Sequence, residues 1–163
     1  FAASHSRVRC VCDPVIGGDL DSELNLDAPC IALGWGVRAE SDREFVPHLQ
    51  EVELPRLSHA ECVYYSLDKS YSSHWNVCAG FPKTGGADTC RGDSGSPLMC
   101  PLAKRKKEKN KNENSDDYAL VGLTSHGVGC GRKGRPGYYT AVHQFHGWIK
   151  AASGETIGRQ YEK

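Results

Sequence analysis

The stretch Asp88-Thr89-Cys90-Arg91-Gly92-Asp93-Ser94-Gly95-Ser96-Pro97-Leu98-Met99-Cys100 concentrates the residues able to do chemistry. It sets one hydroxyl, that of Ser94, between two glycines. A serine is a weak nucleophile at its free pKa. To react it needs an exposed Oγ, a base to take its proton, and backbone N–H groups close enough to hold an oxyanion. Gly92 and Gly95 permit the sharp turn and close backbone approach that such a site demands. Cys90 and Cys100 fence the segment, and either can pin it.

Gly92-Asp93-Ser94-Gly95, followed by Pro97-Leu98 and Cys100, resembles the nucleophile loop of the chymotrypsin/trypsin serine proteases. Further landmarks resemble the same family, in its order. These are Cys30-Ile31-Ala32-Leu33-Gly34-Trp35-Gly36, Val77-Cys78-Ala79-Gly80, Ser125-His126-Gly127 with Cys130, and Pro136-Gly137-Tyr138-Tyr139-Thr140. A lone Gly-x-Ser-x-Gly would say little; landmarks in register between Val8 and Ile149 say much more. The resemblance implies an all-β fold, namely the second six-stranded antiparallel barrel of the two-barrel trypsin-like fold, with a C-terminal α-helix. It divides the chain into an inter-barrel linker segment at 1–29, the barrel and helix at 30–153, and a mobile tail at 154–163.

The resemblance also assigns roles. Ser94 matches the nucleophile, and the N–H groups of Gly92 and Ser94 match the oxyanion hole. Asp93 matches the residue that receives the new N-terminal ammonium when a zymogen is cleaved. Asp88 stands at the bottom of the specificity pocket, where a carboxylate facing a guanidinium or ammonium implies cleavage after Arg or Lys. Gly127 and Gly137 match the pocket-wall glycines, and Ser125 the residue that contacts substrate backbone. His126 occupies a position usually held by tryptophan along the substrate groove. An imidazole there offers less apolar area and a titratable group. Ser96 replaces a glycine, and its Cβ strains the loop if φ is positive. Protein substrates are implied; no cofactor or metal is.

The family's general-base histidine and its orienting aspartate belong to the first barrel, which is expected to lie ahead of this chain. His5, His48, His59, His74, His143 and His146 sit in no matching motif and are expected to be surface or half-buried structural residues. Alone, the chain is expected to retain only the weak catalysis that an oxyanion hole supplies. A rival from another class is an inactive pseudo-protease whose barrel serves as a glycan- or protein-binding module. A third is a truncated product with no independent function.

The pairing of eight cysteines cannot be read from sequence alone. By resemblance Cys30 pairs with Cys100, Cys62 with Cys78 and Cys90 with Cys130. Cys10 and Cys12 remain; two residues apart on an extended segment they point to opposite sides, so an intermolecular partner such as a light chain is expected. The segments 77–80, 88–90, 97–100 and 122–130 most resemble the acrosin branch of the family. That branch implies a disulfide-linked light chain, sulfated glycans of the egg coat, and an acrosome-like secretory granule or secretion.

The elements that must position these residues follow from pattern. Short runs at 31–37, 50–54, 77–79, 96–100, 118–124 and 137–142, several rich in β-branched or aromatic residues, read as strands, and their number suggests a closed barrel. Ser58 with Glu61 reads as a capped helical turn. Val142, Phe145, Trp148 and Ile149 recur at helical spacing. Residues 1–29 read as loop, with Pro14, Gly17, Gly18 and Pro29 as punctuation. Within them Val15-Ile16-Gly17-Gly18 superficially resembles an activated N-terminus, but Pro14 precedes it where an activating cut wants a basic residue.

The loop 104–114 is too polar to bury a core. It reads as a solvated insertion or, between Lys104 and Lys111, as a docking patch for a polyanion such as a sulfated glycan. Over the 163 residues, 20 Lys+Arg balance 20 Asp+Glu, so no net charge draws the chain to nucleic acid or membrane. No apolar run is long enough to span a bilayer. Eight cysteines argue for an oxidising compartment. The start, Phe1-Ala2-Ala3-Ser4-His5, lacks the layout of a secretion signal, so a removed leader or a start inside a longer chain is expected.

Overall fold

A computed structural model describes residues 11, 20–66, 71–72, 74–103 and 118–153. Cys10, Cys12, His5, the Val15-Ile16-Gly17-Gly18 stretch, the basic loop 104–114 and the tail 154–163 lie outside the described residues.

Strands β1 (Cys30–Gly34), β2 (Gln50–Leu54), β3 (Asn76–Ala79), β4 (Pro97–Pro101), β5 (Tyr118–His126) and β6 (Gly137–Ala141) form one sheet in the order β2-β1-β4-β5-β6-β3. Every neighbouring pair is antiparallel. Just beyond β2 the chain reaches the other edge. Arg56 bridges Ala79, Leu57 N–H donates to Cys78 O at 3.0 Å, and Gly80 N–H donates to Pro55 O at 3.0 Å. The outer strands are thereby joined and the sheet curls on itself, as expected for the trypsin-like barrel.

Alternation builds the interior. Cys30 and Ala32 of β1, and Ala119 and Val121 of β5, point inward and are buried, as a period of two requires. They meet Leu54, Val77, Leu98, Ala141 and the fully buried ring of Tyr139 in one core. The disulfides bridge Cys30–Cys100, Cys62–Cys78 and Cys90–Cys130. Cys30–Cys100 lies inside that core, and Cys62–Cys78 in a smaller cluster with Leu57 and Tyr138.

Helix α2 (His59–Tyr65) begins at Ser58, whose Oγ accepts from Glu61 N–H at 3.3 Å. Glu61 Oε2 in turn accepts from Ser58 N–H at 3.0 Å, completing a capping box. Three features differ from expectation. A short helix α1 (Leu20–Glu23) stands in the stretch read as loop, because Leu20 and the buried Leu24 share a face that packs on the core, while Asp21 pairs with Arg56. The C-terminal helix is not uniform: a 3₁₀ turn at Val142–Phe145 precedes α3 (His146–Ser153). His146 is buried rather than at the surface or half-buried, since that turn folds it inward. His143 is half-buried, and burial with the Arg56 charge holds its imidazole below the ordinary histidine pKa.

Among the described residues no helix is long and apolar enough to cross a membrane.

Candidate active site

Two consecutive turns shape the loop before β4. Asp93 N–H donates to Cys90 O at 3.1 Å and Ser96 N–H to Asp93 O at 2.9 Å. The third residues of these turns, Gly92 and Gly95, have φ of +95° and +84°. Turns of that class need a positive φ there, which glycine adopts without steric cost. The positive angles of the loop's two turns thus fall on Gly92 and Gly95. Ser96 is stitched to β5: Thr124 N–H donates to Ser96 O and Gly95 N–H to Thr124 O, both at 2.8 Å.

As the second residue of the second turn, Ser94 is exposed at its apex. Among the described residues its Oγ has no hydrogen-bond partner, and neither do the N–H groups of Gly92 and Ser94, whereas those of Asp93, Gly95 and Ser96 are all engaged. Among the described residues the loop therefore presents two free donors and one free hydroxyl.

Asp93 clamps the loop from beneath. Its buried carboxylate accepts from Gly36 N–H at 2.7 Å through Oδ1 and from Cys90 N–H at 2.8 Å through Oδ2. The close approach explains Gly34 and Gly36. A Cβ on Gly36 would lie 2.6 Å from Asp93 Cγ, and one on Gly34 would collide with Asp93 Oδ1. Val37 N–H donates to Arg91 O at 2.9 Å, completing the join between the two segments.

Ser94, Asp88, Ser125, His126, Gly127 and Gly137 line a single cleft of about 490 Å³. Gly92 and Asp93 do not. Asp93 faces a second cavity of about 350 Å³ behind the loop, which it shares with Asp88. The register of β5 against β6 shifts between Thr124 and His126, a bulge that re-aims the end of the strand into the cleft. There the His126 ring stacks on Tyr138, with centroids 5.0 Å apart and planes at 17°, and its Nδ1 lies 3.2 Å from Ser125 Oγ.

Asp88 is the most perturbed acid of the cleft. Its Oδ1 accepts from Thr89 N–H at 2.9 Å and its Oδ2 from Gly131 N–H at 2.8 Å. Burial nonetheless pushes its carboxyl up to about 6, the two N–H groups pulling the other way and the Asp93 charge adding to the rise. A Cβ on Gly137 would sit 2.9 Å from Asp88 Oδ1, so a side chain there would press on the carboxylate. At Gly127 a Cβ would meet nothing nearer than 3.5 Å; its bareness only leaves room. Behind Asp88, Thr89 Oγ1 and Tyr139 Oη are 3.1 Å apart, and burial holds the Tyr139 phenol far above its usual range.

A family model described as Trypsin matches residues 3–149. The chain belongs to the trypsin family. It is thus a serine-protease relative by family, and proteins are the substrates that membership suggests. Within this trypsin-family chain several structural partners went unread in the sequence. Gly34 and Gly36 stood out as landmarks without a reason, which is the Asp93 carboxylate. Thr89 with Tyr139, and Glu40 with Arg132 on the rim of the cleft, carry no local signal because the partners are far apart in the chain.

Proposed function

We infer that this chain carries the nucleophile and the specificity pocket of a trypsin-like serine endopeptidase that cleaves after Arg or Lys. The observation that carries this reading is the half-buried carboxylate of Asp88, held by the Gly131 N–H, in the same cleft as the Ser94 hydroxyl. A cationic substrate side chain enters the cleft and pairs with Asp88, which brings the following carbonyl carbon to Ser94 Oγ. As Oγ attacks, its proton passes to a histidine base; the carbonyl oxygen becomes an oxyanion, held by the N–H groups of Gly92 and Ser94. The base then gives that proton to the departing amine, leaving an acyl group on Ser94 for water to remove.

The histidine and the aspartate that orients it come, in this reading, from a first barrel supplied by a longer precursor or a separate chain. Asp93 is the acceptor for an activating N-terminal ammonium. The acrosin-like segments, with Cys10 and Cys12 as links to a light chain, favour a secreted or granule-stored enzyme. The lysine-rich loop around Lys104 to Lys111 is then its contact to sulfated glycans.

Binding of an aryl amidine, a small planar cation, tests the pocket directly. Saturable binding is expected, weakening as pH falls through about 6 because protonation removes the Asp88 charge. At pH 7.5 it should weaken at least about tenfold in Asp88→Asn, the loss of one charge-assisted contact. Binding that ignores both pH and the substitution removes the reading. A second reading is an inactive module that binds without cutting. Under it, Ser94→Ala changes nothing measurable.

A further inference from the structure

The rim of the cleft holds an ion pair whose members are 92 residues apart in sequence. Arg132 donates through Nε to Glu40 Oε2 at 2.8 Å and through a terminal guanidinium nitrogen to Glu40 Oε1. Cys130 N–H also points at Glu40 Oε2, at 3.4 Å. Both oxygens of one carboxylate thus engage a single loop at two points.

Each end of this clasp is anchored. Glu40 lies in a turn closed by Asp42 N–H donating to Ala39 O at 3.0 Å, with Ala39 N–H donating to Asp42 Oδ2 at 3.1 Å. Arg91, from the nucleophile loop, donates to the backbone oxygens of Glu40 and Asp42. On the far side, Cys130 is tied to Cys90, and Gly131 exchanges hydrogen bonds with the 86–88 segment. Gly86 N–H donates to Gly131 O at 2.8 Å, and Gly131 N–H donates to Asp88 Oδ2 at 2.8 Å. Gly129 leaves the space in which the pair lies, since a Cβ there would come within 2.6 Å of Glu40 Oε2.

The residue held between the two clasped positions, Cys130 and Arg132, is therefore the one that hydrogen-bonds the pocket carboxylate. We propose that Glu40 is a positioning residue for the specificity pocket: by clasping Arg132 and Cys130 N–H it holds the Gly131 N–H on Asp88. The pair is exposed and contributes little to global stability. Its consequence is local, in the aim of one donor. The inference rests on Asp88 being the pocket floor only for its effect on substrate, not for the geometry itself.

The charged groups around Asp88 give the test a decisive sign. Asp93 faces it from the nucleophile loop, and Glu40, Arg91 and Arg132 stand on the cleft rim or its loop. Taking away the Glu40 charge would, by relief of like-charge repulsion alone, make Asp88 easier to ionise. Loosening the Gly131 hydrogen bond makes it harder.

The experiment is a carboxyl-carbon NMR titration of Asp88 in the full chain and in Glu40→Gln, with the exchange rate of the Gly131 amide measured on the same samples. The expected result is an Asp88 midpoint moved upward by roughly half a pH unit, the size of a loosened rather than lost hydrogen bond. Faster Gly131 exchange, by about tenfold, should accompany it as the protecting bond opens. Arg132→Gln, which leaves the Glu40 carboxylate in place, should also raise both. A midpoint that is unchanged or lower in Glu40→Gln, or Gly131 exchange at the wild-type rate, overturns the proposal. Failure of the wild-type chain to bind an aryl amidine would instead strike the pocket reading and leave this titration interpretable.

Discussion

At the residue scale, Asp88 ties the chemistry of the cleft to the stability of the fold. Its folded-state pKa lies above the ordinary aspartate value, so the folded chain binds a proton that the unfolded chain has already released between about pH 4 and 6. Stability from this group is therefore highest in acid, falls as pH rises through that window, and stays low above about 6. Asp88→Asn, neutral at every pH, should be more stable than wild type at pH 7.5. The gain is on the order of 1–2 kcal/mol. It falls short of the full roughly 3 kcal/mol because the amide offers one acceptor oxygen to the two N–H donors. Thermal melts at pH 4 and 7.5 check this, the advantage shrinking at pH 4; equal melting temperatures at pH 7.5 would contradict the burial cost. The sequence singled out Asp88, which lines the cleft with Ser94, but its protonation behaviour was not legible there. That depends on Gly131, 43 residues away, and on burial beneath Gly137, neither of which leaves a local trace.

At the element scale, what was legible followed from local rules. Ser58 and Glu61 announce the start of α2 because a capping box is built within one turn of chain, and the structure contains both of its hydrogen bonds. Ser58→Ala should therefore lower stability by about 1 kcal/mol, read as a drop in the urea midpoint with unchanged slope. No change in midpoint would mean that the cap is not needed, the Cys62–Cys78 bridge alone holding the helix. Strand centres were likewise legible from alternation. Helix α1 was not, since at four residues it has no stability of its own and exists through Leu20 and Leu24 on the core and Asp21 on Arg56. The extension of β5 to His126 was missed for a related reason. Its last residues pair across a bulge with Tyr138, and a bulge breaks the two-residue period on which strand ends are read.

At the scale of the whole molecule, the order of family landmarks made the barrel legible in the sequence, and several landmark glycines serve close contacts. Gly34 and Gly36 admit Asp93, and Gly137 clears Asp88. Legibility stopped at the clefts, where Glu40 and Arg132 meet from positions 92 residues apart in the chain. The surface also carries large exposed aromatics, among them Trp35, Phe45 and Trp148. A first barrel bringing histidine and aspartate to Ser94 is the partner inferred above.

That inference is tested most directly by fluorophosphonate labelling of protein from its native source, with the modified residue mapped by mass spectrometry in the presence and absence of an aryl amidine. Modification at Ser94, slowed by the amidine and negligible in the isolated chain, is the predicted result. Folded material that includes a first barrel yet leaves Ser94 unmodified would contradict it.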